Sequence, residues 1–306
     1  MLRVATLNVN GIRAGQRRGF QEWLAARQPD VVALQEVRCP APALPVGVFG
    51  DYHLAYDEGT LPGRNGVAVL TRAAPEAVRT WGGPALLRGP TAAASGAVAG
   101  PPGALARGLR EFVPQGRYVE VDLAEAPITV ASVYVPKGGL PAELQRPGRM
   151  REAPDGGARY ERKMRFLVAF ERQVTRARRA ARARGRDYLL MGDLNVAHTR
   201  YDVANWRRNQ AAEGFLPSER AWLDELIGPR RLVDVVRRLH PGVDGPYSWW
   251  SWLGNSFAND TGWRIDYHLA TPHLAALAVR AGTDRDPAPD RRLSDHAPVV
   301  VDYDVA

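Results

Sequence analysis

The 306-residue sequence predicts an α/β protein, and two observations carry that prediction. Short β-rich apolar runs interleave with segments of helical spacing along the whole chain, and several of those runs stop abruptly at Asn, Asp, Glu or His. Interleaved elements of this kind build layered sheets and helices. Polar residues at strand ends matter because open α/β sheets collect ligands and catalytic groups there. In order, residues 2–9 form a strand ending in the polar turn NVNG. Residues 18–28 have helical spacing, with Phe20, Trp23 and Leu24 on one face. Residues 31–34 are a short buried strand, followed at once by Gln35 and Glu36. Residues 66–71, 118–123 and 128–135 read as strands. Residues 161–184 predict a long helix with Met164, Leu167, Phe170 and Val174 on one stripe. Residues 188–191 are a strand, 217–227 a helix with Ser218 near its start, and 265–270 and 297–303 the last strands.

Two stretches break this pattern. Between residues 82 and 108, 19 of 27 residues are Gly, Pro or Ala, which bury little and predict a loop. Residues 138–159 are again rich in Gly, Pro and charge and carry Arg146, Arg149, Arg151 and Arg159. Strand-like runs lie on both sides of each, so the expectation is a single domain over 1–306 with two long loops, which are often functional.

Composition sets further bounds. Hydrophobic residues make up 45% and charged residues 24%, a globular mixture that excludes wholesale disorder. Cys39 is the single cysteine, which excludes an intramolecular disulfide and a zinc site built on several thiolates. No charged start leads into an apolar stretch, and no run of eighteen apolar residues occurs. The expectation is a soluble, cytoplasmic protein without a membrane partner. The net charge of +8 and a pI near 10 favour phosphate-rich partners. Arginine outnumbers lysine 39 to 2, however, a skew that a GC-rich coding sequence also produces, so charge alone leaves nucleic acid open. The seven arginines between residues 172 and 186 fit a solvated outer helix face better than a DNA patch.

Candidate chemistry sits at the ends of the apolar runs. Glu36 after VVALQ is a possible cation ligand or a simple capping residue. In LLMGDLN, Gly192 permits close backbone approach, Asp193 suits a general base or ligand, and Asn195 suits a neutral donor; an Asx turn ending the strand gives the same pattern. Asp266 in WRID and His296 in SDH form an Asp–His pair if their strands are neighbours, with a purely structural ion pair as the alternative. No GxSxG, GxxxxGKS/T, HxxxH or HExxH pattern occurs. What remains is hard oxygen and amide ligands with one His, a set suited to a hard cation such as Mg²⁺ and to phosphodiester hydrolysis by an activated water. Trp249, Trp250, Trp252 and Trp263 place half of the eight tryptophans within fifteen residues, either as core packing or as a pocket wall.

TLNVNGIRA, LQEVR, NGVAVLTR, GRYVEVDL, ASVYVPKG, LLMGDLNVAH, GFLPSERAWLDEL, GWRIDYHLA and LSDHAPV, in this order and spanning nearly the whole chain, resemble exonuclease III and its AP-endonuclease relatives. These belong to the endonuclease/exonuclease/phosphatase superfamily. The resemblance implies a four-layer α/β sandwich, two mixed sheets face to face with helices outside. It implies that Asn8 positions the catalytic Asp or the phosphate, and that Tyr134 approaches the scissile phosphate. Asp193 activates water, Asn195 contacts the phosphate, and Asp266 pairs with His296. Glu36 and Asp295 serve the metal, with Asn10 beside them; Mg²⁺ is the implied ion and Mn²⁺ a substitute. Trp249, Trp263 and Ile265 fall where the family holds a base-free sugar turned out of the helix, a pocket that excludes a normal base. The arginines of 138–159, following Tyr134, are DNA-facing candidates.

The implied function is Mg²⁺-dependent hydrolysis of double-stranded DNA 5′ to abasic sites, with 3′-to-5′ exonuclease and 3′-end cleaning at blocked ends, by a monomer. The alternatives are chiefly an exonuclease with little abasic-site cleavage, a superfamily phosphatase acting on a small phosphorylated substrate, or a DNA-binding module without chemistry.

Overall fold

The computed structural model describes residues 1–61, 63–82, 85–90, 105–148 and 152–305. Its strands are β1 Leu2–Asn8, β2 Val31–Gln35, β3 His53–Asp57, β4 Val67–Thr71, β5 Ala77–Thr80, β6 Leu86–Arg88, β7 Tyr118–Asp122, β8 Ile128–Tyr134, β9 Asp187–Asp193, β10 Val233–Asp234, β11 Asp266–Ala270, β12 Ala278–Thr283 and β13 Val299–Tyr303. The α-helices are α1 Ile12–Arg17, α2 Phe20–Arg27, α3 Ala158–Ala183, α4 Trp206–Asn209, α5 Pro217–Leu226, α6 Val235–Leu239 and α7 Pro272–Ala276.

The strands form two mixed sheets, ordered β12-β13-β1-β2-β4-β3-β6 and β10-β11-β9-β8-β7-β5. Each has one parallel pair near its middle, β1 with β2 and β8 with β9, among antiparallel neighbours. Side chains alternate across a strand, and β1 shows how that makes layers. Val4 joins the apolar cluster between the sheets, with Val31, Val69, Val121, Val130 and Met191. Ala5 and Leu7 join the outer cluster with Ile12 of α1 and Phe20 and Leu24 of α2. On the opposite outer face, α3 and α5 bring Phe166, Phe170, Trp222 and Leu223 against Ala131, Val133 and Leu190. Each such fully buried side chain contributes on the order of 2 kcal/mol of transfer free energy. The result is the four-layer sandwich expected from the resemblance.

One polar strut interrupts the inter-sheet core beneath the strand ends. Gln35 Nε2 donates to Ser132 Oγ (3.0 Å) and to Thr6 Oγ1 (3.1 Å), and Ser132 Oγ donates to the Leu34 carbonyl (2.9 Å). It ties β1 and β2 to β8, so the two sheets keep a fixed offset where the site lies.

Several element boundaries differ from the sequence expectation. The helix expected over residues 18–28 is α2, which starts two residues later because Gly19, with φ near 95°, precedes its first turn; α1 before it was not expected. α3 starts earlier than expected, just after Gly157. The last strand begins at Val299 because His296 and Ala297 are tied sideways, Ala297 N–H to the Ser248 carbonyl. Strands β3, β5, β6, β10 and β12 were not expected. The stretch 82–108 contains edge strand β6, which is defined by backbone pairing with β3 rather than by its own composition. Residues 83–84 and 91–104 of that stretch, and Arg149 and Arg151 of the second, lie outside the described residues.

Candidate active site

The carboxyl ends of all four parallel strands meet at one edge of the sandwich. They supply Asn8 from β1, Glu36 just after β2, Tyr134 from β8 and Asp193 from β9. β11 runs antiparallel to β9 with Asp266 opposite Asp193. The close approach of β8 and β9 needs Gly192: at its φ of 137° a Cβ would lie 2.0 Å from the Val133 carbonyl oxygen. A cleft of about 560 Å³ opens here, lined by Glu36, Tyr134, Asp193, Asn195, Asp295 and His296. Trp249, Trp263 and Ile265 form its apolar wall. Asn8, Asn10 and Asp266 stand behind these groups and hold them.

Asp193 is buried and fully oriented. Its Oδ1 accepts from the Asn195 backbone N–H (2.8 Å), and its Oδ2 accepts from Asn8 Nδ2 (2.9 Å) and Asn195 Nδ2 (3.3 Å). Burial, with Asp266 and Glu36 nearby, pushes its carboxyl up to about 7 against the opposing pull of His296. His296 Nδ1 lies 2.8 Å from Asp266 Oδ2, and its Nε2 lies 3.8 Å from Asp193 Oδ2. Burial alone would lower the imidazole, but Asp266, then Asp193 and Asp295, outweigh it and raise it to about 10, so His296 carries its proton at neutral pH. The expectation that this pair needs neighbouring strands is corrected. β11 and β13 belong to different sheets, and the contact crosses the sandwich.

A second group lines the lip. Glu36 Oε1 accepts from Asn8 Nδ2 (2.7 Å), and its Oε2 pairs with the Arg38 guanidinium. Arg38 Nη1 also donates to Asn10 Oδ1 (2.7 Å), and Asn10 Nδ2 donates to Asp295 Oδ1 (2.8 Å). Trp249 Nε1 donates to Asp295 Oδ2 (3.2 Å). Burial pushes Asp295 up, yet His296 and these hydrogen bonds win and hold its carboxyl below the usual range. Asn10, Glu36, Arg38 and Asn195 all have φ between 47° and 50°. For Glu36 and Arg38 a left-handed backbone costs roughly 1–2 kcal/mol each. Hydrogen bonds from Gly11 N–H to the Glu36 carbonyl (2.8 Å) and from Arg38 N–H to the Asn65 carbonyl (2.8 Å) hold it there.

Three supporting cations were not singled out from the sequence: Arg38, Arg117 and Lys163. Arg117 is buried behind Tyr134, donates to the Tyr134 carbonyl (2.9 Å) and stacks 5.0 Å from its ring centre. Burial lowers it to about 10, still protonated at neutral pH. Tyr134 itself is raised by burial and by Glu36, so it remains a phenol. Lys163 is fully buried and spends its ammonium on the Asn195 carbonyl (2.8 Å), the Lys137 carbonyl (2.9 Å) and Glu219 Oε1 (2.6 Å). Glu219 Oε2 in turn accepts from Leu216 N–H at the start of α5 (3.0 Å). Arg38 lies inside the quoted LQEVR motif. The rarity of lysine was the signal that could have marked Lys163.

The tryptophans divide. Trp249 and Trp263 meet edge to face (6.4 Å, 87°) in the wall, whereas Trp250 is buried in the core and bonded to Asp260. The wall is fixed from behind by Arg264, buried between Asp202 (2.7 Å) and Asp234 (2.7 Å), which sets the backbone of Ile265 and Asp266. On α3, Arg172, Arg176, Arg179 and Arg182 face outward, as a solvated helix face requires. The arginines of 138–159 are less available than expected. Arg159 pairs with Asp155 (2.8 Å), and Arg146 donates to carbonyls of its own loop.

Among the described residues, one group of metal-ligand side chains brings its donor atoms within 4.8 Å of one another: Asp193, Asp266 and His296. Its charge is already compensated, because the protonated imidazole lies between the two carboxylates. The lip offers what a hard cation prefers, two carboxylates and an amide oxygen. The guanidinium bonded to Glu36 and Asn10 shows that positive charge is accommodated there.

Comparison with known proteins agrees with this architecture. The Endonuclease/Exonuclease/phosphatase family matches over residues 5–296, and the chain belongs to that family, within its exonuclease III and AP-endonuclease group. The DNA repair nuclease APEX1 of Danio rerio is 26% identical over 304 residues, covering 98% of this chain and 81% of that protein. The DNA-(apurinic or apyrimidinic site) endonuclease of Dictyostelium discoideum is 24% identical over 274 residues, and the match spans 63% of its length. An AP endonuclease from Archaeoglobus fulgidus superposes with a TM-score of 0.74 at 26% identity over the full length of both chains. A 3′-5′ exonuclease from Neisseria meningitidis shares the fold (TM-score 0.75, 24% identity, 99% of this chain and 100% of that one).

Proposed function

We propose that the protein is a metal-dependent DNA-repair phosphodiesterase that cuts duplex DNA 5′ to abasic sites, digests 3′ to 5′ and clears blocked 3′ ends. The observation that carries this reading is the convergence of Asp193, Asn195 and the Asp266-held His296 beside the Glu36–Asp295 lip, in one cleft with a tryptophan wall. The repair-nuclease names of its relatives support it.

Glu36, Asp295 and the Asn10 amide oxygen would hold Mg²⁺, or Mn²⁺ in its place; when bound, the ion neutralises phosphate charge and steadies the departing 3′ oxygen. Asp193, lifted to about 7, is matched to accept a proton from the attacking water at neutral pH. His296 keeps its proton through Asp266 and offers Nε2–H to a phosphoryl oxygen. Tyr134 offers its phenol hydrogen, and Asn195 exchanges its longer bond to Asp193 for the phosphate. Donors already in place cost no reorganisation as charge develops, which is worth about 3–4 kcal/mol per donor in a dry site. Trp249, Trp263 and Ile265 bound a space that takes a sugar without its base, so shape supplies the preference for abasic sites. Every group comes from one chain, which supports a monomer as the working unit.

The test is cleavage of a labelled duplex carrying one abasic analogue, with Mg²⁺ or EDTA, beside an intact duplex with recessed 3′ ends. A Mg²⁺-dependent nick at the lesion, lost in Asp193→Asn, is expected. Degradation from 3′ ends alone would make it chiefly an exonuclease. Well-folded protein that cuts neither duplex would refute the reading.

A further inference from the structure

We propose that a second cavity, back to back with the catalytic cleft, binds an unpaired nucleic-acid strand that continues from the duplex under attack; this rests on the reading of the cleft as a DNA-cleaving site. The cavity measures about 440 Å³, within the range of ligand pockets and too small for a duplex. Its chemistry is that of a single-strand groove. Arg200, Arg207 and Arg208 line it, all exposed, and none forms an ion pair among the described residues. By contrast Arg237 and Arg264, just beneath, are both committed to Asp202. The arginine stacks are preformed: Arg200 lies 4.7 Å over Tyr201, and Arg207 lies 4.7 Å over Trp206. Tyr247 adds a third ring, and Asp244 is the only carboxylate on the lining among the described residues. Guanidiniums for phosphates and ring faces for bases are what a sequence-tolerant strand site combines.

Position strengthens the case. The wall between the two cavities is one apolar layer, in which Val203 and Trp206 pack with Trp249, Trp263 and Ile265. Val203 is bridged to Trp263, and Ala204 N–H donates to the Gly262 carbonyl (3.0 Å). Helix α4 joins the cavities end to end, since Trp206, Arg207 and Arg208 line the groove and Asn209 lines the cleft. The floor is rigid. Asp202 closes a capping box with Thr199 and is held by the buried guanidinium of Arg264 and the partly buried one of Arg237. A site so braced loses little entropy on binding. The groove thus accepts a frayed or tailed strand one aromatic layer away from the scissile phosphate.

The test uses fluorescence anisotropy with a labelled single-stranded (dT)12 in EDTA, where no cleavage occurs. The double variant Arg207→Ser/Arg208→Ser should weaken binding about tenfold and flatten the log–log salt slope by about 1–2, roughly one for each phosphate left without its guanidinium. Trp206→Leu should weaken (dT)12 while leaving a base-free sugar–phosphate 12-mer unchanged, which isolates stacking. In Mg²⁺, the double variant should raise KM about tenfold for an abasic duplex bearing a single-stranded tail, and leave kcat and the tail-less duplex within twofold. Melting temperatures confirm that both variants fold. Unchanged (dT)12 binding, or equal loss on tailed and tail-less duplexes, would overturn the proposal. So would full competition by polyglutamate together with equal binding of (dT)12 and the base-free polymer, which would make the groove a general polyanion surface. If wild-type protein binds (dT)12 through these arginines but cuts no DNA, the catalytic reading falls and the groove stands.

Discussion

Two acidic clusters share the cleft, and they handle their charge in opposite ways. Asp193 and Asp266 are buried at the second sheet and compensated internally by the protonated His296. Glu36 and Asp295 stand at the lip of the first sheet, bound by the half-exposed guanidinium of Arg38 and by neutral amides. On the proposed reading the lip, and not the tighter cluster, is the metal seat. In the buried cluster the countercharge is a fixed part of the core, whereas at the lip it is a half-exposed side chain that an outside cation can displace.

The largest expected effect breaks the buried cluster. Asp266→Asn removes the anion that keeps His296 protonated and should lower kcat by about 10²–10⁴, the range for a misplaced proton-transfer or donor group. The loss should be smaller at pH 6 than at pH 8, since the freed imidazole titrates closer to its ordinary value. Single-turnover rates across pH would check this, and a pH-independent loss would contradict it. Next, Glu36→Gln should weaken Mn²⁺ binding about 10–100-fold by electron paramagnetic resonance, whereas Asp193→Asn should change it less than threefold. Equal effects would erase the distinction between the clusters. A third effect concerns the prop beneath Asn195. Lys163→Met leaves Glu219 buried and unpaired and should cost about 3–5 kcal/mol in urea denaturation. It should also lower kcat about tenfold with KM nearly unchanged, because the Asn195 carbonyl loses its tether.

The smallest effect contrasts the two buried histidines. His268 faces the inter-sheet core, bonded to the Val299 carbonyl (3.2 Å) and near the Tyr303 hydroxyl (3.4 Å), and burial lowers it to about 4. Between pH 6.5 and 4 the unfolded chain binds a proton there that the folded chain refuses. That contribution to stability is therefore complete above pH 6.5 and is lost as pH falls toward 4, about 3 kcal/mol in all. His268→Gln should remove this part of the pH dependence between pH 7 and 5. If the variant and wild type lose stability in parallel, the assignment is wrong.

How much of this was legible in the sequence follows from what each residue depends on. Asn8, Glu36 and Asp193 were visible because an apolar run stops at them, a local event. The Asp266–His296 pair was visible as chemistry but not as geometry, since nothing local says that two strands face each other across sheets. β6 and β10, with three residues and two, carry no periodicity and exist through their partners. Arg38 and Lys163 escaped notice because a cation's role is set by what burial leaves for it to bond. Gly19 sets the start of α2 two residues later than spacing alone suggests.

The pairing of β1 with both β2 and β13 has a consequence for synthesis. Asp295 and His296 reach the cleft through the segment leading into β13, nearly 290 residues after Asn8, and β1 remains an unsatisfied sheet edge until β13 arrives. Pairings so distant along the chain form late and slowly. A polypeptide translated only as far as residue 294 therefore holds Asp193, Asp266 and Glu36 but lacks Asp295 and His296. Both acidic clusters are thus completed in one step, when the segment leading into β13 docks beside β1.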